Sequence, residues 1–460
     1  MAKKMTFDYD LIVIGSGAGG SAAATIAARE GKRVAIIEAD TFGGDSPNWS
    51  DVPTKALLHA AQLYDEARHG ARFGLRSATL GYNYPSLRAW KELAVKRTGA
   101  GGNRRYYENE GIATYQGVAH FLTPNEVSVN RRHLSAEQFL IATGSHWVAP
   151  NIQGLSDVSY LTPRTILEVM RPPKSLYIIG AGTIGVEIAQ LMATFGTKVY
   201  LAEIASRILP QEDEEVGVLL ERVLKEQKGV TSLTQTRTLT VVKDGVGKRV
   251  TYARGGAEKS IHVDEVLIAT GRVPTVDIGL ENASVAYTPK GIETDRYLQT
   301  TAKHIFAAGD VLGHNSHTHT ALLESRIAAH NLLHPKSRIS PDYTATPKLS
   351  FTYPGVASVG LSEDDCLKRD LPINKAIAPL NIITRSNTSD FRDGFVKIIT
   401  DKRGVVLGAT VVAPSASEII HELTLAVKYQ LTARQLAETP HAFLSWSEAV
   451  RVAAARLSNR

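Results

Sequence analysis

The sequence predicts an α/β protein built on two parallel-sheet units of one design, and three observations predict it. Two segments each run strand, Gly-rich turn, helix, strand, acidic residue, one from Asp10 and one from Ser175. The offset from the first turn glycine to the acidic residue is 23 residues in both, Gly15 to Glu38 and Gly180 to Glu203. A second apolar run is also duplicated, Phe139-Leu-Ile-Ala-Thr-Gly144 and Val266-Leu-Ile-Ala-Thr-Gly271. At 460 residues the chain has room for two or three domains.

In the first unit, the apolar run Asp10–Ile14 reads as a buried strand ending in Gly15-Ser-Gly17-Ala-Gly-Gly20. An Ala-rich helix to about Glu30 and a strand Val34–Ile37 complete the context that a Gly-x-Gly-x-x-Gly pattern requires. Gly15 makes the tight turn, Gly17 lets backbone approach a pyrophosphate, and Gly20 lets helix and strand pack closely. The phosphate then rests on the helix N-terminus, and Glu38 accepts from a ribose diol. In the second unit, Ser175–Ile179 leads into Gly180-Ala-Gly182-Thr-Ile-Gly185, a helix, and Lys198–Glu203. One such pattern is weak. Two copies in full context specify two Rossmann-like dinucleotide-binding units, each closed by its own run into Thr143-Gly144 or Gly271. Two bound dinucleotides imply hydride exchange between a flavin and a nicotinamide.

Hydrophobic content of 43%, with 37 Gly and 19 Pro, is globular and loop-rich. No run of 18 apolar residues occurs, so membrane insertion is not expected. The start Met1-Ala-Lys-Lys-Met-Thr-Phe-Asp-Tyr-Asp10 lacks an apolar signal core, and a cytoplasmic protein is expected. Net charge is +6, from 52 basic and 46 acidic residues. Basic residues exceed acidic ones between Lys55 and Glu110, through Arg104-Arg105-Tyr106-Tyr107. A solvated helical face, or a mild pull on an anionic ligand, is the preferred reading there, and no nucleic acid is expected. The single cysteine, Cys366, excludes an intrachain disulfide and a multi-cysteine metal site, so no metal is expected. Its flank Ser362-Glu-Asp-Asp-Cys366-Leu-Lys-Arg-Asp370 predicts an exposed, incidental thiol.

With these motifs the chain resembles the pyridine nucleotide–disulfide oxidoreductases, which include lipoamide dehydrogenase, mercuric reductase and the soluble transhydrogenase. The match also takes in Gly43-Gly44, Val52-Pro-Thr-Lys55, Gly117-Val-Ala119 and Thr301-Ala-Lys-His-Ile-Phe-Ala-Ala-Gly-Asp310. Near the C-terminus it takes in Phe351-Thr-Tyr-Pro-Gly-Val-Ala-Ser-Val-Gly-Leu-Ser-Glu363 and Gly394-Phe-Val-Lys-Ile398. The resemblance implies an FAD domain over residues 1–150 and 272–345, interrupted by an NAD domain over 151–271. A C-terminal α+β dimerisation domain over 346–460 follows, in a homodimer. Gly15, Gly17, Gly20, Glu38, Lys55, Ala119, Thr143, Gly144 and Asp310 are then expected to bind FAD, Asp310 through the ribityl chain. The helix after His317 is expected to point its N-terminus at the flavin pyrimidine. Gly180, Gly182, Gly185, Glu203 and Gly271 are expected to bind NAD. Glu203 suits an unphosphorylated ribose, so NADH is favoured over NADPH. Lys55 and Glu187 are expected as an ion pair beside the flavin N5, against the plainer readings of a surface lysine and a helix-surface glutamate.

The redox centre departs from the family pattern. Between Gly-Gly and Pro-Thr-Lys the family carries two cysteines with four residues between them, and here Ser46 and Asp51 hold those places. The family's C-terminal His-x-His-Pro-Thr-x-x-Glu reads His441-Ala-Phe443-Leu-Ser445-Trp446-Ser-Glu448, with Phe443 in place of the catalytic histidine and Glu448 kept. His441 is given a structural role. Two readings of Asp51 stand side by side: a helix cap before Val52-Pro53, and an anion that preserves the charge of the family's thiolate. Trp49, with Phe443 and Trp446 from the partner subunit, is expected to line the former disulfide side. That aromatic lining suits either a flat acceptor or a plug. The leading expectation is an NADH-dependent flavin oxidoreductase serving a small non-disulfide acceptor, quinone-like or another nicotinamide. The rival is a non-catalytic FAD-binding scaffold or redox sensor.

Overall fold

The structure is a computed structural model that describes residues 6–76, 80–98 and 103–458. The chain forms two compact units, one of Met1–Ala56, Arg88–Val148 and Gly271–Asp342, the other of Leu57–Leu87, Ala149–Thr270 and Tyr343–Arg460.

In the first unit, the strand Tyr9–Ile14 lies between the parallel strands Val34–Glu38 and Arg132–Ile141, in register Ile14↔Ile37 and Ile14↔Ile141. Ala113–Gln116 and Ile305–Ala307 extend this sheet at either side, also parallel. Leu11, Ile12, Val13 and Ile14 are all buried, as expected of a parallel strand covered on both faces. The strand Arg132–Ile141 also pairs with Glu126–Val129, which pairs with Ala119–Thr123, both antiparallel. Helices Ala18–Arg29 and Thr318–Leu333 pack together in parallel. Near their starts a Cβ at Gly309 would meet Gly19 Cα at 3.5 Å. Midway, Ala23 N–H donates to Ser325 Oγ at 3.0 Å, and at their far ends Glu30 lies 3.9 Å from His334. Both N-termini therefore sit at the carboxyl end of the parallel strands, where open α/β sheets bind ligands.

The second unit repeats the plan with the parallel order Thr231–Leu233, Lys198–Ala202, Ser175–Ile179, Glu265–Ile268. An antiparallel three-stranded sheet, Thr236–Asp244, Gly247–Arg254 and Ala257–Val263, matches the one in the first unit. The same unit holds a five-stranded antiparallel sheet of residues 348–413, with helices Ala416–Lys428 and Glu448–Ser458 packed on it. Lys397, on its strand Phe395–Thr400, is wholly buried among Asp213, Glu215 and Glu363, 3.0 Å from Asp213 Oδ2 and 2.9 Å from Glu215 Oε2. The ammonium fills the centre of these carboxylates, so each buried charge is answered.

The expected exposed thiol is a correction: Cys366 is 1% exposed. Its acidic neighbours belong to the first turn of the helix Glu363–Lys368, closed by a capping box between Ser362 and Asp365. The charges answer the helix N-terminus while Cys366 turns inward. Burial pushes its pKa up. In the basic stretch, Arg104 and Arg105 lie exposed on the helix Arg104–Asn109, as the solvated-face reading has it. Arg104 pairs with Glu108 at 2.9 Å, and Tyr107 is buried with its hydroxyl on Ser16 O at 3.1 Å. Among the described residues no helix is long and apolar enough to cross a membrane.

Candidate functional site

The two Gly-rich turns have the same geometry. Gly15 and Gly180 adopt φ of +104° and +103°, a region that a side chain opposes, and an added Cβ would meet Ala142 O at 2.1 Å or Ala269 O at 2.5 Å. At Gly20 and Gly185 a Cβ would lie 2.0 Å from the carbonyls of Gly15 and Gly180, so only hydrogen lets each helix seat on its strand. The middle glycines differ in kind. A Cβ at Gly182 meets nothing within 4 Å, and at Gly17 only Gly44 Cα at 3.7 Å. Packing of the chain on itself leaves that space open at the head of each helix. Both helices, Ala18–Arg29 and Thr183–Thr194, have their N-cap glycine without a side-chain cap and no acidic residue in the first turn. Uncapped N–H groups beside open space fit a dinucleotide pyrophosphate in both units.

Glu38 and Glu203 hold a role that sequence reasoning missed. Glu38 Oε2 accepts from Ser16 N–H at 2.9 Å and Ser16 Oγ at 2.6 Å, and its Oε1 accepts from Asp40 N–H at 2.8 Å. Glu203 Oε2 accepts from Ala181 N–H at 2.8 Å, and its Oε1 from Ala205 N–H at 2.9 Å. Each carboxylate thus latches the residue after the turn glycine to the end of the second strand. Lone pairs remain on each for a ribose diol. The conserved 23-residue offset between the two units carried that signal, since it fixes one register for both.

The segment expected to hold the altered redox centre lies in the first unit. Ser46 Oγ donates to Asp51 Oδ2 at 2.7 Å, so the two side chains meet through a hydrogen bond. Asp51 Oδ2 also accepts from Thr318 Oγ1 at 2.8 Å, and Lys55 Nζ lies 3.5 Å from Oδ1. The capping reading of Asp51 is corrected: Asp51 is itself the first residue of the helix Asp51–Arg68, and these bonds turn its carboxylate to side chains instead. Burial opposes its charge, but the Lys55 ammonium and the hydroxyls of Ser46 and Thr318 together hold the carboxyl below its usual range. The side chain is still 45% exposed, which leaves the anion accessible to a ligand. Thr318 opens the helix Thr318–Leu333, so two helix N-termini meet at this carboxylate.

A second network stands beside it. Arg272 pairs with Asp45, donates to Ser145 Oγ at 2.7 Å and lies over the Trp147 ring at 4.9 Å. Ser145 Oγ donates to Asp310 Oδ2 at 2.6 Å. Thr143 Oγ1 donates to Thr275 O at 2.6 Å, and Thr275 N–H to Gly144 O at 2.9 Å. These bonds bring Asp310, Thr143 and Gly144 together at the carboxyl end of the sheet. Ala119 buries its methyl in the core, and Gly117 N–H donates to Glu38 O at 2.8 Å. Gly271 opens the last stretch of this first unit with φ of +123°. Asp45, Ser145, Arg272 and Thr318 were absent from the sequence-predicted site. Pairings such as Asp45 with Arg272, 227 residues apart, leave no local signal.

In the second unit, Glu187 is 1% exposed, which overturns the helix-surface reading, and its Oε1 accepts from Phe351 N–H at 2.7 Å. Phe443 is 73% exposed in the loop before the helix Glu448–Ser458. Trp446 is not presented in the same way. It is partly buried, edge-on to Phe391 at 6.2 Å and under the Arg385 guanidinium. His441 bridges Thr439 O at 2.8 Å and Glu422 Oε2 at 3.0 Å, consistent with its structural role. Glu448 Oε2 is buried without a hydrogen-bond partner among the described residues, as is Ser445 Oγ.

A family model described as pyridine nucleotide-disulphide oxidoreductase matches residues 9–325, and its dimerisation-domain counterpart matches residues 346–454. The chain is 36% identical to the mercuric reductase of Streptomyces lividans over 97% of this chain and 95% of that one. It is 32% identical to the dihydrolipoyl dehydrogenase of Geobacillus stearothermophilus, over 97% and 96%. Among solved structures, the copper(II) complex of the flavoprotein disulfide reductase RclA from Escherichia coli superposes with a TM-score of 0.86 at 26% identity, covering 98% of this chain and all of that one.

Proposed function

The chain belongs to the pyridine nucleotide-disulphide oxidoreductase family, and from that premise we propose that it passes hydride from NADH through FAD to a small acceptor other than a disulfide. The observation that carries this reading is the Ser46–Asp51 hydrogen bond at 2.7 Å in the place of a redox-active sulfur pair. A hydroxyl and a carboxylate relay no electrons by thiolate exchange. The single thiol, on Cys366, is buried in a helix of the other unit. Lys55 is assigned to the flavin N5 side, and Asp310 to the ribityl chain. The burial of Glu187 supports a role other than surface solvation. FAD when bound supplies the two-electron chemistry, and a quinone-like molecule or a second nicotinamide fits as acceptor.

The test is an anaerobic titration of the FAD-loaded protein with NADH, followed by turnover with quinones, lipoamide and glutathione disulfide. Rapid bleaching with quinone turnover is expected. A flavin that NADH leaves oxidised supports the scaffold reading instead.

NADH is expected to reduce the flavin faster than NADPH at equal concentration, because Glu203 opposes a 2′-phosphate. Glu203→Gln, which removes the charge and keeps an acceptor for the latch, should narrow the gap. Equal initial rates in the wild type would refute the assignment.

The dimerisation-domain match supports a homodimer. Light scattering at micromolar concentration should return twice the chain mass of 49.8 kDa. A monomer there would leave the exposed Phe443 without a partner's site to complete.

A further inference from the structure

The carboxylate of Asp51 stands where two helix N-termini meet. Three donors hold it: Ser46 Oγ at 2.7 Å, Thr318 Oγ1 at 2.8 Å, and Lys55 Nζ at 3.5 Å. Thr318 is the first residue of the helix Thr318–Leu333, and Asp51 the first of its own. The positive ends of both dipoles favour an anion at this point, and an anion already stands there. The place also adjoins the pyrophosphate cradle, since Gly44 packs on Gly17 and Gly309 on Gly19. A dinucleotide whose phosphates sat at the head of the helix Ala18–Arg29 would lie within reach of the segment 44–51 and the start of the helix Thr318–Leu333. Electrons arriving on that dinucleotide meet a fixed negative charge. The helix end that would otherwise welcome them is already answered.

We propose that Asp51 is a positioning residue that lowers the midpoint potential of bound FAD, biasing electrons to leave for an acceptor. The inference rests on the oxidoreductase reading above. A carboxylate in this place does the electrostatic work of an anion and has no redox chemistry of its own. Ser46 and Thr318 serve to aim it, and Lys55 to keep it charged.

The test compares midpoint potentials of the FAD-loaded wild type, Asp51→Asn, and the double variant Ser46→Ala/Thr318→Val, by equilibration with reference dyes under chemical reduction. Asparagine keeps the shape and an acceptor but removes the charge. Its oxidised-to-reduced equilibrium is expected to move about ten-fold towards reduced flavin, which for a two-electron couple is about +30 mV. The double variant keeps the charge and should shift by less than half as much. An Asp51→Asn potential equal to or below that of wild type overturns the proposal. So does loss of FAD from Asp51→Asn, which would make Asp51 a cofactor-holding group, or a shift in the double variant as large as that of Asp51→Asn. Chemical reduction makes the measurement independent of NADH. A wild-type flavin inert to NADH would thus refute the oxidoreductase reading while leaving the potentials to decide the role of Asp51.

Discussion

Lipoamide and glutathione disulfide are expected to go unreduced by the wild-type chain, and to be reduced very poorly by the double variant Ser46→Cys/Asp51→Cys. The structure makes the double variant a fair test, because the two side chains it replaces already meet through a hydrogen bond of 2.7 Å. What it lacks is a base. Disulfide reduction needs one sulfur to take electrons, a second to attack the substrate, and a group to manage the thiol proton. Phe443 has no titratable atom. General acid–base assistance is typically worth about a hundred- to ten-thousand-fold, and a triple variant adding Phe443→His should recover much of that. Glu448 favours this gain, since its buried Oε2 has no hydrogen-bond partner among the described residues and can orient an imidazole. Steady-state turnover of the three proteins on both disulfides checks the claim. Robust wild-type turnover would overturn the reading of the centre. Equal turnover by the double and triple variants would overturn the role given to position 443.

Substitution in the two Gly-rich turns should separate the two cofactors. A Cβ at Gly185 would stand 2.0 Å from Gly180 O, so Gly185→Ala must displace the helix Thr183–Thr194 from its strand. Overpacking of this kind costs about 1–3 kcal/mol. Expressed fully at the site, it weakens binding by about ten- to a hundred-fold. The Gly185→Ala protein should remain yellow, with FAD retained, while the NADH concentration needed for half-maximal flavin reduction rises by that factor. Gly20→Ala should do the converse. Its Cβ would stand 2.0 Å from Gly15 O and 2.8 Å from Val13 Cγ1, and FAD should be released more readily. Flavin fluorescence on dilution reports the second effect and stopped-flow reduction the first. Identical behaviour of the two variants on FAD would contradict the assignment of one cofactor to each turn.

The sequence by itself determined the repeated architecture, because what specifies it is local. Apolar runs, glycines that alone accept a positive φ or a close carbonyl, and a fixed 23-residue offset are all readable in a short window, and the structure returns them as two parallel sheets with matching turns. The reading of Ser46, Asp51 and Phe443 as departures from the family pattern likewise rests on residue identity within short motifs, and it stands as a proposal. Only the tertiary structure decided what those residues touch. Thr318 reaches Asp51 across 267 residues and Arg272 reaches Asp45 across 227, and a side-chain hydrogen bond between distant segments leaves no periodicity to read. Burial was misjudged for the same reason. Charged neighbours made Cys366 look exposed, yet they answer a helix end. Which face of a helix is covered depends on the elements folded against it, and those lie elsewhere in the chain.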